Sequence, residues 1–250
     1  MFYQQQLEST SKLNINSLNP TNNYDLFYGM CKCPESVINE VDKSIKDIFS
    51  NKEKYFKMNN DLAGHIEEEY RLSKTPFIEK FVKDQVLEIE NKTNHAKSII
   101  ENFANYFANI HPNTKVEWYM HEKPWVNIQY KGEFNPPHVH AGLYSWVIWH
   151  DIPYTKEEEI KSGPGRFKEH GHVNGDFQFS TSDYKSSSII NHNLQIDKSA
   201  NGTFIIFPSN LNHTVFPFFS TDKPRITVAG NIHLRIIEEN IKDQIHNFNK

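Results

Sequence analysis

Two cysteines are all that the 250 residues carry, Cys31 and Cys33 in "MCKCPE". A one-residue spacing is too tight for an ordinary disulfide within a strand, so a reduced, intracellular pair is expected. No Cys-x-x-Cys stands elsewhere to recruit them to a zinc site. No apolar run approaches ~18 residues, which predicts no membrane span. The net charge is -4 and no basic run accompanies it, which weighs against nucleic acid as an electrostatic partner. The opening "MFYQQQLEST" has no basic segment followed by an apolar one. It is not read as an export signal, and a cytoplasmic protein is expected. Internal repeats and low-complexity linkers are absent from the sequence as well.

What remains is a globular composition, 37% hydrophobic and 13% aromatic, in a length that allows one large β-rich domain as easily as two small ones. The first half has helical period. "CPESVINEVDKSIKDIFSN" sets Val37, Ile38, Val41, Ile45 and Ile48 at helical spacing behind Pro34. Residues 75–111 do the same with Phe77, Ile78, Phe81, Val82, Ile99 and Phe103, as one long helix or two joined near Asn91. Between them "NDLAGHIEEEYRL" reads as loop with some strand.

From about residue 115 the period becomes two. "VEWYMHE", "WVNIQY", "LYSWVIWHDIPY", "GDFQFS", "GTFIIFPS" and "RITVAGNIHL" are short strands parted by Gly, Ser, Asn and Pro. The charged, glycine-containing stretch 155–174 reads as a long loop and a candidate lid. Helices followed by short strands predict an α+β fold, a jelly roll with N-terminal helices packed on one face. The expected organisation is a mostly helical support region over 1–114, a jelly-roll core over 115–236 and a closing helix over 237–250.

The strand half places polar residues where a barrel interior should be apolar. "FNPPHVHAG" sets His138 and His140 two apart, on one side of an extended segment and ~6.6 Å apart along the backbone. Some 70 residues on, His213 follows the strand "GTFIIF". "KPRITVAGN" then puts Arg225 and Thr227 on one face of the last strand, with Ile226 and Val228 on the other. A buried guanidinium is costly unless an anion meets it, and a carboxylate fits its fork. Three imidazoles beside an anion site suit a non-haem Fe(II) centre that chelates an oxo acid. Taken singly, each of these residues is unremarkable. Their joint order carries the argument. "EHGHV", with His170 and His172, has the same spacing but sits in the glycine-rich loop without strand period, and reads as solvated.

The order "NPPHVHAG", "LYSWVIWHDIPY", "GDFQFS", "GTFIIFPSNLNHTVFPF" and "KPRITVAGNI" resembles the Fe(II)/2-oxoglutarate-dependent oxygenases. The nearest branch is the prolyl-hydroxylase-like one, in forms found in phages and marine bacteria. The resemblance spans roughly residues 119 to 234, with a weaker echo in "LAGHIEEEYRL". It implies a double-stranded β-helix, Fe(II) as cofactor, 2-oxoglutarate as co-substrate, and a hydroxylase that releases succinate and carbon dioxide. It implies a peptide, protein or small-molecule substrate, in a bacterial or phage-infected cytoplasm. Carried over by position, His138 and His213 become iron ligands and Arg225 the 2-oxoglutarate anchor, with Thr227 sharing its carboxylate. Asn127 and Tyr130 are candidates to line the co-substrate pocket.

One departure stands out. His140 occupies the position where the family has a carboxylate. Either His140 is the third ligand or it lies behind the metal with water in its place. A cupin-like metal protein on the same fold is the alternative reading. It is disfavoured because Ala141 to Trp146 lack the Glu that cupins place after their His-x-His, and because R-x-T is no cupin feature.

Overall fold

The computed structural model describes residues 12–18, 26–58, 64–106, 116–163, 172–183 and 188–236. Two antiparallel sheets face each other across one cavity. The larger takes strands β1 (Asn14–Ser17), β2 (Phe27–Lys32), β3 (Glu68–Arg71), β5 (Trp125–Gln129), β7 (Tyr144–Asp151), β10 (Thr203–Pro208) and β12 (Arg225–Ile236) in the order β1-β2-β10-β7-β12-β5-β3, and β4 (Val116–Tyr119) pairs with β12. The smaller runs β6-β11-β8-β9, from β6 (Asn135–His138), β8 (Phe177–Asp183), β9 (Ser188–Leu194) and β11 (His213–Val215). This is the double-sheet jelly roll expected.

Each sheet face has its own chemistry because side chains alternate along a strand. On β12, Ile226, Val228 and Ile232 join a core cluster with Val37, Val41, Ile45 and Ile48 of helix α1 (Glu35–Ser50) and with Ile78, Val82 and Val86 of helix α2 (Pro76–Thr93). Arg225, Thr227 and Ala229 point the other way, into the cavity. With helices on one face and the small sheet on the other, the central strands are buried on both sides. Hence β5 and β10 are buried throughout their length.

α2 ends at Asn94, which takes the left-handed conformation (φ 52°) as a helix C-cap, and α3 (His95–Tyr106) begins there. The helical stretch is therefore two helices, broken three residues beyond Asn91.

Three differences from the sequence reading have physical causes. The region before residue 115 is mostly helical but also supplies β1 and β2 to the large sheet, besides β3, which falls in the segment read as loop with some strand. β2, "FYGMCK", is short and interrupted by Gly29, so its period is weak, yet it is a central partner of β10. β9 was not expected, because it pairs with β8 while leaving most of its side chains exposed. Residues 156–161 are a helix, α4 (Lys156–Lys161), rather than loop. Thr155 and Glu158 form a reciprocal capping box there, the T-x-x-E signal of a helix start. Buried Glu159 accepts from the backbone N–H groups of Phe219 and Ser220 at 2.8 and 2.9 Å, and Lys156 reaches Asp176 at 2.5 Å. The remainder of the lid candidate, 164–171, and the expected closing helix, 237–250, lie outside the described residues.

Gly230 shows how tightly β12 is packed. A Cβ added there would lie 2.6 Å from the ring of the fully buried Trp146. Gly230→Ala is expected to cost about 1–3 kcal/mol of stability through overpacking. Urea denaturation checks this, and an unchanged midpoint would show that the ring has room to move.

Candidate active site

His138 and His213 are register partners across β6 and β11, so the antiparallel ladder itself brings their rings together. His140 follows two residues later, held by a backbone bond from its N–H to the Ser209 carbonyl at 2.9 Å. Ring centroids lie 4.2 Å apart for His138–His213, 4.8 Å for His138–His140 and 5.1 Å for His140–His213. One nitrogen from each falls within 4.8 Å of the other two. A cluster of this size could hold one metal ion between the three rings.

The tautomers suit ligation. His138 Nδ1 pairs with the Pro136 carbonyl at 2.7 Å and His213 Nδ1 with the Leu211 carbonyl at 3.0 Å. A proton held on Nδ1 by a carbonyl leaves the Nε2 lone pair for a metal. His213 is 3% exposed and sits between Phe177 and Phe207. Desolvation, helped by the neighbouring imidazoles, holds His213 well below the ordinary histidine range. Burial lowers His138 too, and it lowers His140, next to His138, to about 4. The rings are therefore neutral at pH 7. No carboxylate belongs to this cluster among the described residues. The donor set fits a divalent metal with three neutral ligands.

The cavity extends from the histidines across the inner face of the large sheet. Trp125 and Ala229 face each other nearest His140, Asn127 and Thr227 form the next row, and Gln129 and Arg225 the last. Arg225 is 2% exposed. Its five N–H donors are all engaged. Nε and Nη2 grip Gln129 Oε1 at 3.1 and 2.6 Å, Nη1 reaches Tyr154 Oη and the Gly175 carbonyl, and Nη2 the Phe216 carbonyl. Every one of these acceptors is neutral. The buried carboxylate of Asp176 is paired with Lys156 instead. A desolvated guanidinium beside a cavity, without an acidic hydrogen-bond partner, fits an anionic ligand.

Of the residues read from sequence, His138, His140, His213, Asn127, Arg225 and Thr227 line this one cavity. Tyr130 does not. It packs against the helix-side core cluster, because it stands three residues from Asn127 and alternation turns it to the opposite face. Sequence reasoning missed Gln129, which the same alternation could have found. It also missed Tyr154, for which the sequence holds no local signal. The third omission is Glu69 of β3. It is 3% exposed and lines the cavity, with Oε1 buried and lacking a hydrogen-bond partner.

Residues 123–231 match the family described as "Putative 2OG-Fe(II) oxygenase". The match covers less than half of the chain, all of it in the jelly-roll half. The description names Fe(II) and 2-oxoglutarate, a pair that the three-histidine cluster and the buried guanidinium suit. Among solved structures, a Pseudomonas putida prolyl-4-hydroxylase is similar at 11% identity and TM-score 0.49, over 84% of this chain and 94% of that one. An oxidoreductase of the 2OG-Fe(II) oxygenase family from Burkholderia pseudomallei is similar at 12% identity and TM-score 0.35, over 86% and 70%. A Trichoplax adhaerens prolyl hydroxylase, in complex with a hypoxia inducible factor oxygen degradation domain peptide fragment, is similar at 10% identity and TM-score 0.41, over 94% and 87%. No curated protein matches the chain. None of the described helices is long and apolar enough to cross a membrane.

Burial pushes the Glu69 carboxyl up to about 8, with the charge of Glu133 adding to the shift. A folded-state value above the unfolded one stabilises at low pH, and that contribution is lost as pH rises through the folded value. The metal-free protein should therefore lose thermal stability as pH rises from about 4.5 to about 8 and no further above that, by roughly 2–4 °C per kcal/mol. Glu69→Gln should flatten that loss. Melting curves of both proteins across the range decide the matter, and parallel curves would contradict the assignment.

Proposed function

We propose that the chain is an Fe(II)- and 2-oxoglutarate-dependent hydroxylase in which His138, His140 and His213 hold the metal. Arg225 holds the far carboxylate of the co-substrate, with the Thr227 hydroxyl beside it. The observation that carries this reading is one cavity lined by three neutral imidazoles at one end and a buried guanidinium without an acidic hydrogen-bond partner at the other. Bound Fe(II) with 2-oxoglutarate supplies oxygen activation, giving a hydroxylated substrate, succinate and carbon dioxide.

The protein's own residues supply geometry and electrostatics. The carbonyls of Pro136 and Leu211 hold two rings in the ligating tautomer. Three uncharged ligands leave the 2+ charge of the ion to be balanced by the dicarboxylate alone, so ion, imidazoles and bound dianion together sum to zero, and the Arg225 guanidinium adds one positive charge at the far end. At the far end the Gln129 amide oxygen sits in the fork that a carboxylate would fill. Replacing that dipole by a full charge strengthens both bonds. Gln129 then yields its place, while Tyr154 Oη and the Gly175 and Phe216 carbonyls keep the guanidinium oriented. Phe177, Trp125, Val147 and Trp149 keep the space between dry.

Likeness to prolyl hydroxylases supports a peptide or protein substrate, and the pocket leaves a small molecule open as well. The cupin-like alternative separates cleanly from this reading. Fe(II) and 2-oxoglutarate added anaerobically should give a visible metal-to-ligand charge-transfer band. Arg225→Ala should shift its 2-oxoglutarate midpoint upward by roughly 10²-fold, in keeping with the loss of a buried bidentate pair. His213→Ala should abolish the band. A protein that binds metal but gives no band is a cupin-like binder and ends the oxygenase reading.

A further inference from the structure

Glu69 stands in register with Asn127, and Asn127 with Thr227, so the three form one row across β3, β5 and β12 at about 4.8 Å per strand. All three line the cavity. Asn127 Nδ2 donates to Thr227 Oγ1 at 3.0 Å, which leaves its carbonyl oxygen buried and unpartnered, like Glu69 Oε1. Two buried acceptors in neighbouring positions thus lack a donor.

Nothing in the reading above supplies one. A metal ion carries no N–H or O–H, and neither does the 2-oxoglutarate dianion, whose charge would also be repelled by a carboxylate. Glu69 is not part of the histidine cluster. Among the described residues no cation is bonded to it. Lys52 pairs with Glu68 on the opposite strand face, Arg71 lies over the Phe56 ring at 4.7 Å with its Nε buried and unpartnered, and Arg225 holds Gln129. The molecule that is hydroxylated can supply the missing donors, and a cation placed there would draw the carboxyl proton off Glu69.

We propose that Glu69 and the Asn127 carbonyl oxygen together bind a guanidinium group of the prime substrate. The planar guanidinium suits the pair because its rigid fork donates to two acceptors at once and brings the charge a buried carboxylate lacks. The inference deepens the hydroxylase reading by naming a substrate class, an arginine-like side chain or a free guanidino compound. Asn127 thereby serves the substrate rather than the co-substrate.

The test compares Nα-acetyl-arginine methylamide with its neutral isostere, Nα-acetyl-citrulline methylamide, and with free L-arginine. Binding is followed through the fluorescence of Trp125 and Trp149 in the metal-free protein, and through the charge-transfer band after loading with Fe(II) and 2-oxoglutarate. Wild type should bind the capped arginine probe at least tenfold more tightly than the citrulline probe. In the shape-conserving Glu69→Gln variant that ratio should fall toward one. Tighter binding of free arginine than of the capped residue marks a metabolite, and the reverse a peptide. Absence of binding, equal binding in wild type, or a ratio that survives in Glu69→Gln overturns the proposal. A charge-transfer band without the ratio removes only the substrate class. The ratio without a band removes the oxygenase reading and keeps the guanidinium site.

Discussion

Groups that water would normally solvate cannot stay inside a β-barrel unless something meets them, and this constraint organises the whole chain. The inner face of the large sheet carries Arg225, Thr227, Asn127, Gln129 and Glu69 where a purely structural barrel would carry Val or Ile. The fold tolerates the set because most members meet each other. Gln129 answers Arg225, Thr227 answers Asn127, and backbone carbonyls answer two of the histidines. The atoms left over are the informative ones.

The outer face makes this possible. α1 and α2 cover the same strands with aliphatic side chains, and tight contacts such as Gly230 against Trp146 fix β12 against β7. At the cavity end, α4 locks Phe219 and Ser220 through Glu159, and Lys156 holds Asn174 and Asp176. Those anchors flank Gly175 and Phe216, whose carbonyls aim the Arg225 guanidinium. A helix distant from the histidines thus sets the far end of the cavity.

Much of this was legible in the sequence wherever alternation alone decides direction. His138 with His140, His213 after a buried strand, and Arg225 with Thr227 on the polar face of β12 could all be read from spacing. Alternation applied to β5 would also have separated Tyr130 from Asn127 and promoted Gln129. Other features depend on partners far away in the chain. Gln129 and Arg225 stand 96 residues apart, so no local pattern reports their bond. β2 becomes a strand because β10 offers it an edge, despite a weak period of its own. Glu69 sits in "EEEYR" among other glutamates, and only the sheet register shows that it faces inward while Glu68 meets Lys52 on the other face.

On the proposed reading His140 stands where a carboxylate would otherwise complete the metal site, so the ligand set is neutral and charge balance falls to the bound dianion. X-ray absorption at the iron edge of the anaerobic Fe(II) protein counts the imidazoles directly. The account predicts three imidazole scatterers in wild type and two in His140→Ala, with stoichiometric iron in the former. Two imidazoles in both proteins would place His140 behind the metal and contradict the three-histidine centre.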